Sequence, residues 1–109
     1  MVESEEYVRQ ELEKGIGDLE KSISKFAPDS CEKTIWKVLK DSNVRGAIIK
    51  EFIGHEMVLQ TVNCKGEHDQ IKVNFTFQCR PPRICIIAHI ITVTYDLTSH
   101  KVVGTDHWP

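Results

Sequence analysis

The chain lacks the short motifs that identify the chemistry of many small enzymes. It has no glycine-rich phosphate-binding loop, and no serine or cysteine stands in the glycine-flanked context of a nucleophile elbow. The pair His55-Glu56 begins like the zinc-protease motif, but the second histidine of that motif would fall at Leu59. The sequence therefore gives no support to nucleophilic catalysis or to zinc proteolysis on a single helix.

Long apolar runs and a targeting segment are also missing. The longest apolar run, residues 84–91, is too short to cross a bilayer and contains His89. Residues 1–13 are acidic, whereas a secretory signal is basic and then apolar. No repeat, low-complexity segment or linker divides the 109 residues. We therefore predict a cytoplasmic protein with a single α+β domain over residues 1–109 and no membrane association.

The spacing of the four cysteines does not fit a metal site. Cys64 and His68 bracket a turn and would supply half of a zinc site, but Cys79 and Cys85 are six residues apart and do not form the second tight pair. We therefore predict no metal and no cofactor. Because cytoplasmic thiols are kept reduced, we expect all four cysteines, including Cys31, to be free thiols. A cross-strand disulfide between Cys79 and Cys85 is the alternative.

The net charge of −2 is unevenly distributed along the chain. Residues 1–32 carry nine acidic and four basic side chains, and residues 33–109 carry seven acidic and ten basic ones. This asymmetry indicates complementarity within or between subunits more than a nucleic-acid surface, because nucleic-acid binders are basic overall. A nucleic-acid-binding regulator is an alternative, and it would act through Lys37, Lys40 and Arg83.

Three helices are predicted in the first half of the chain. Apolar side chains recur at spacings of three and four over residues 4–26, which predicts a helix with one apolar stripe. A capping-box pattern predicts a second helix over residues 29–40. A third helix is predicted over residues 42–53, although residues 47–53 also fit a strand.

The second half of the chain has the pattern of β-strands. Residues 71–79 alternate without interruption between apolar and polar side chains, which is typical of a strand with one buried face. The predicted strands are residues 57–63, 70–79, 84–95 and 101–103. Because the helices precede the strands without alternating with them, the predicted fold class is α+β, with two or three N-terminal helices packed on one face of a four-stranded antiparallel meander.

A helix followed by an antiparallel meander resembles the roll of the cystatins. The segment Gln60-Thr61-Val62-Asn63-Cys64 is similar to the Gln-x-Val-x-Gly hairpin by which cystatins block cysteine proteases. The chain departs from that motif at its last position, where a cysteine replaces the glycine, and it has extra helical sequence over residues 27–53. The resemblance covers five residues and implies a topology, not protease inhibition.

The predicted third strand is apolar on both faces over residues 84–91. One layer of helices covers only one face of a sheet, and monomers rarely expose a large contiguous apolar patch. We therefore expect a partner to bury the second face, either another copy of the chain through an isologous sheet contact or a protein of different sequence. The predicted interface residues are Ile84, Ile86, Ile87, Ile90 and Ile91.

These observations favour a non-catalytic protein-interaction or adaptor domain. The alternative is a small ligand-binding protein or enzyme with a pocket at His89 and Tyr95, which lie on the same face of the predicted third strand. No carboxylate lies beside His89 in the sequence to complete an acid–base pair.

Overall fold

The computed structural model describes residues 29–108, together with Glu6 and Gln10. Apart from those two residues, the predicted helix over residues 4–26 lies outside the described part of the chain. The described elements are α1 (Asp29–Val38), α2 (Ser42–Ile49), a π-helical turn (Lys50–Gly54), β1 (Met57–Glu67), β2 (Gln70–Cys79), β3 (His89–Asp96) and β4 (Lys101–Trp108). Neither of the two α-helices is long and apolar enough to span a membrane.

The helical hairpin is closed by two polar side chains. Asp41 is the N-cap of α2, and its carboxylate accepts hydrogen bonds from the backbone N–H groups two and three residues further on. The buried guanidinium of Arg45 donates to the carbonyl oxygens of Leu39 and Lys40, at 3.0 and 2.9 Å. Both carbonyl groups lie just after the end of α1. The last carbonyl groups at the end of a helix have no hydrogen-bond donor within that helix, so a side chain can donate to them.

The segment that follows α2 is helical, so the strand alternative for residues 47–53 is wrong. The α-helix ends at Ile49, and the chain continues as a π-helical turn closed by the N–H of His55 donating to the carbonyl of Lys50 at 3.1 Å. Such i→i+5 turns are rare and are often found at functional sites.

The four strands form one antiparallel sheet in the order β1-β2-β3-β4, which confirms the predicted meander. The alternation in β2 directs Val73, Phe75 and Phe77 into the core. On the opposite face, the Asn74 side chain donates to Asn63 at 3.1 Å and accepts from the Thr92 hydroxyl at 2.6 Å. The sheet therefore has one apolar face, and its other face is polar at these central positions.

The apolar side chains of both helices belong to the same core cluster as the inner face of the sheet. The helices contribute fully buried aliphatic side chains, and the strands contribute two phenylalanines and a valine from adjacent positions. These residues are Ile35, Val38, Val44 and Ile48 on the helices and Phe75, Phe77 and Val93 on the strands. The described residues thus form an α+β fold of two helices and a four-stranded sheet.

The prediction of reduced cysteines is wrong for this structure. Cys31 in α1 is joined to Cys64 in β1, and Cys79 at the end of β2 is joined to Cys85, with Cα–Cα distances of 6.1 and 5.4 Å. Both distances lie in the range that disulfides bridge without backbone movement. Cys64 is therefore bonded to sulfur and cannot form the half zinc site considered with His68.

The third strand begins later than the sequence predicts. Residues 84–88 are irregular, and β3 starts at His89. The disulfide between Cys79 and Cys85 gives the physical reason, because the register that pairs Phe77 with His89 would place residue 87, and not residue 85, opposite Cys79. The other strand differences are extensions, since β1 reaches Glu67 and β4 reaches Trp108.

The carboxyl group of Asp96, at the turn between β3 and β4, has a pKa that the fold lowers and that can be measured. The hydroxyl and backbone N–H of Ser99 donate to the Asp96 carboxylate, the N–H at 2.8 Å, and they hold the pKa of Asp96 below its ordinary value of 3.8. Because the folded-state pKa is lowered, this interaction stabilises the fold above about pH 3.8 and is lost as the pH falls through the folded-state pKa.

We expect Ser99→Ala to raise the pKa of Asp96 toward 3.8, because the hydroxyl is the largest cause of the lowering. An NMR titration of the Asp96 carboxyl carbon measures this change. Thr98→Ala, in the same turn, is the matched control and should leave the pKa where it is in the wild-type protein. Equal pKa values in all three proteins would contradict the proposed hydrogen bond.

Candidate functional site

The connection between β2 and β3, residues 80–88, carries the most exposed aliphatic side chains of the described structure, and we call it the isoleucine loop. Ile84 is 93% exposed, Ile86 is 100% exposed and Ile87 is 53% exposed. Between them, Cys85 is partly buried against the core and bonded to Cys79. The loop is thus anchored by its disulfide while three isoleucines face solvent.

The structure separates the five isoleucines predicted to form an interface. Ile84, Ile86 and Ile87 share the isoleucine loop, whereas Ile91 lies in β3 and is only 1% exposed in the core. Ile90 is partly buried on the outer face of the sheet, opposite Trp108 of β4. An accessible apolar surface is therefore offered by the loop isoleucines, and Ile91 is enclosed by its own chain.

The isoleucine loop also contains two basic side chains, those of Arg80 and Arg83. Arg83 donates to the carboxylate of Glu56 at 3.3 Å and to the carbonyl of His55 at 3.4 Å, and the backbone N–H of Arg80 donates to the carbonyl of Glu56 at 3.2 Å. These bonds tie the first part of the loop to the segment that precedes β1. Arg80 and Arg83 both remain exposed beside the isoleucines.

A second candidate site contains His89, the residue that the sequence analysis selected for a pocket. The Glu51 carboxylate lies 2.8 Å from the Nδ1 atom of His89 and 3.1 Å from the Nδ1 atom of His55, through the same oxygen. The two imidazole rings meet edge to face, with centroids 5.4 Å apart. We call Glu51, His55 and His89 the Glu-His cluster.

The Glu-His cluster lies at a cleft of about 340 Å³, which is also lined by Lys50, Ile90, His107 and Trp108. The Glu51 side chain is 8% exposed, and the two imidazoles are more accessible. Burial, the largest single influence, raises the pKa of the Glu51 carboxyl, but the hydrogen bonds and the electrostatic interactions with His55 and His89 together outweigh it, so the pKa lies below its ordinary value of 4.5. The carboxylate is therefore held in its charged form, as a hydrogen-bond acceptor or a metal ligand.

Glu51 is the residue that sequence reasoning missed at this site. It precedes His89 by 38 positions, so no local pattern connects the two residues. A partial signal was the four-residue spacing of Glu51 and His55, since residues at this spacing lie on one face of a helix, but the predicted helix ends at residue 53, before His55. The missing information was that the π-helical turn lies beside the start of β3.

Tyr95, the other residue predicted for the His89 pocket, lies at a different cleft. That cleft has a volume of about 530 Å³ and is lined by Lys37, Lys40, Asp41, Tyr95, His100, Lys101 and Val102. The structure therefore brings Lys37 and Lys40 together with Lys101 around Tyr95, and it does not bring them near Arg83, which pairs with Glu56. Three lysines beside a tyrosine suit an anionic ligand.

In comparisons with known proteins, no family model, no curated protein and no solved structure matches this chain. The segment that resembles the cystatin hairpin, residues 60–64, lies inside β1 and precedes the turn at His68-Asp69.

Proposed function

We propose that this protein is a non-catalytic protein-interaction domain and that the isoleucine loop is its contact surface. The exposure of Ile84 and Ile86 is the observation that supports this proposal. Transferring an isoleucine side chain from water to an apolar environment is favourable by about 1.5–3 kcal/mol. Three adjacent exposed isoleucines on an anchored loop are thus a source of binding energy that the described part of the chain does not use.

The partner we propose is a protein of different sequence, with an apolar cleft and an acidic rim. The loop is exposed on a turn and not on a flat sheet face, so a concave surface would bury it best. Arg80 and Arg83 beside the isoleucines favour a negatively charged rim. The outer face of the sheet carries Asn63, Asn74 and Thr92, and this polarity disfavours an isologous dimer formed through that face.

The two disulfides support an oxidising compartment over the cytoplasm predicted from the sequence. Disulfides persist outside the cell and in the secretory pathway, whereas the cytosolic thiol pool reduces them. Both pairs of cysteines are joined in the fold, and the bond between Cys79 and Cys85 anchors the proposed contact loop. We therefore place the interaction in an oxidising environment.

The other two candidates have weaker support. Nucleic-acid binding is favoured by the lysines around Tyr95 but opposed by the net charge of −2. An acid–base enzyme is favoured by the contact of Glu51 with His89, but Tyr95 lies at another cleft. Neither candidate accounts for the isoleucine loop.

The triple variant Ile84→Ser/Ile86→Ser/Ile87→Ser tests the proposed function. We expect this variant to fold like the wild-type protein, because its three substituted sites are exposed. We expect it to capture less partner than the wild-type protein, by a factor of about ten or more, because the lost apolar contact exceeds about 1.4 kcal/mol. The measurement is quantitative mass spectrometry of proteins captured on the immobilised full chain with its disulfides intact. Any captured candidate is then titrated as a purified protein.

The matched control is Leu97→Ser/Val103→Ser, which removes two exposed aliphatic side chains away from the loop. Capture that is retained by this control and lost by the triple variant supports the proposal. Equal capture by both variants would contradict it. Sedimentation of the wild-type protein completes the design, since a dimer dissociated by the triple variant would assign the loop to self-association instead.

A further inference from the structure

The Glu-His cluster has a chemistry that the interaction proposal does not use. It brings one carboxylate and two imidazoles to a single point, with one ligand atom from each lying within 4.8 Å of the other two. We propose that Glu51, His55 and His89 form a binding site for a divalent transition-metal ion, with zinc as the best fit.

The two distances from the Glu51 oxygen to the histidine nitrogens are close to the ligand–ligand distances of a tetrahedral site. Zinc binds nitrogen and carboxylate oxygen at about 2.0–2.1 Å, so two ligand atoms of one tetrahedron lie about 3.3 Å apart. The Glu51 oxygen lies 3.1 Å from His55 Nδ1 and 2.8 Å from His89 Nδ1. An ion therefore requires only small side-chain shifts. Each imidazole would bind in its neutral form, with its proton on Nε2 and the Nδ1 lone pair on the metal.

The ligands come from two separate elements that the fold holds together. Glu51 lies on the π-helical turn, His55 follows the end of that turn and is separated from β1 by Glu56, and His89 is the first residue of β3. The first pair has the four-residue spacing that places both side chains on one helical face, and the third ligand closes the site from the sheet. An ion at this position would link the helical segment to the sheet.

The composition of the site favours zinc and related ions over calcium or magnesium. Calcium and magnesium prefer an all-oxygen ligand set, whereas two imidazoles and one carboxylate are the donors found in open zinc sites. Such sites leave a fourth position for water or another ligand. The three residues line the cleft of about 340 Å³, together with His107 of β4 and Lys50, so the site is open to a fourth ligand from that cleft.

Zinc titration of the full chain tests this site. The protein is prepared without an affinity tag, freed of metal with a chelator and titrated calorimetrically with zinc chloride; we expect one ion per chain. Replacing an outer-shell partner of a metal ligand costs about 10–100-fold in affinity, so we expect His55→Ala, which removes a ligand, to weaken zinc binding by about 100-fold or more. His55 is substantially exposed, so this variant should keep its fold.

The matched control is His68→Ala, at an exposed histidine in the turn between β1 and β2, and it should bind zinc like the wild-type protein. Cobalt binding to the wild-type protein can be measured by its visible absorption, since tetrahedral Co²⁺ with nitrogen and oxygen ligands absorbs strongly in the visible range. The Ile84→Ser/Ile86→Ser/Ile87→Ser variant should also keep its zinc affinity, so the two proposals can fail separately.

Three results would overturn the metal site. The first is an absence of zinc binding by the wild-type chain at micromolar concentration. The second is equal zinc affinity in the wild-type and His55→Ala proteins, which would place the ion elsewhere. The third is a cobalt absorption spectrum that is the same in the wild-type and His55→Ala proteins. Each of them would leave the Glu-His cluster as a set of hydrogen bonds that ties the helical segment to β3.

Discussion

Removing the disulfide between Cys31 and Cys64 should lower the free energy of unfolding by about 4 kcal/mol. The bond spans 33 positions of sequence and joins α1 to β1, so it restricts the unfolded chain strongly. A loss of this size is a large fraction of the 5–15 kcal/mol that stabilises an ordinary domain. Urea unfolding of Cys31→Ala/Cys64→Ala, compared with the oxidised wild-type protein, measures the change.

The second disulfide provides the internal comparison. Cys79 and Cys85 are separated by only six positions, so the same loop-closure argument gives Cys79→Ala/Cys85→Ala a loss of about 2 kcal/mol. The longer bond should therefore contribute about twice as much stability as the shorter one. If the two double variants unfold at the same urea concentration, or if reducing agent leaves the wild-type midpoint unchanged, the two bonds do not have these roles in solution.

The parts of the fold that could be predicted are those encoded by local patterns. The strict alternation of β2 identified Val73, Phe75 and Phe77 as its buried face, because side chains two residues apart in a strand point in one direction. The helical segment over residues 42–53 was predicted from its N-cap region and is helical in the structure. The antiparallel meander followed from short connections between successive strands.

The start of β3 was predicted too early, because it depends on the disulfide between Cys79 and Cys85, which the sequence analysis gave only as the alternative to free thiols. Residues 84–88 are rich in isoleucine and have a high strand propensity, but the bond from Cys85 to Cys79 holds them in a closed loop. The assumption of reduced cysteines therefore led directly to a strand that was too long. The isoleucines that the sequence predicts to form one interface are divided between the isoleucine loop and the core.

The Glu-His cluster shows a similar limit. The predicted helix includes Glu51 but ends before His55, and sequence spacing contains no information on which strand residue the two side chains meet. His89 reaches them because β3 begins beside the π-helical turn, and that starting point depends on the loop closed by Cys85. The same disulfide thus affects both candidate sites.

Replacing Ile91 by alanine should destabilise the protein by about 2–5 kcal/mol, because the side chain is fully enclosed in the core and its removal leaves a cavity. The same substitution at Ile86, which is fully exposed, should change the free energy of unfolding by less than about 0.5 kcal/mol. Urea unfolding of Ile91→Ala and Ile86→Ala measures both values.

This pair compares one chemical change at two of the predicted interface residues, so the difference between the variants reports burial and not amino-acid type. Binding should change in the opposite order, since Ile86 belongs to the isoleucine loop and Ile91 does not. A partner lost by Ile86→Ala and retained by folded Ile91→Ala would place the contact on the loop. If both variants unfold at the wild-type urea concentration, Ile91 is not enclosed in solution, and the apolar surface would have to extend onto β3.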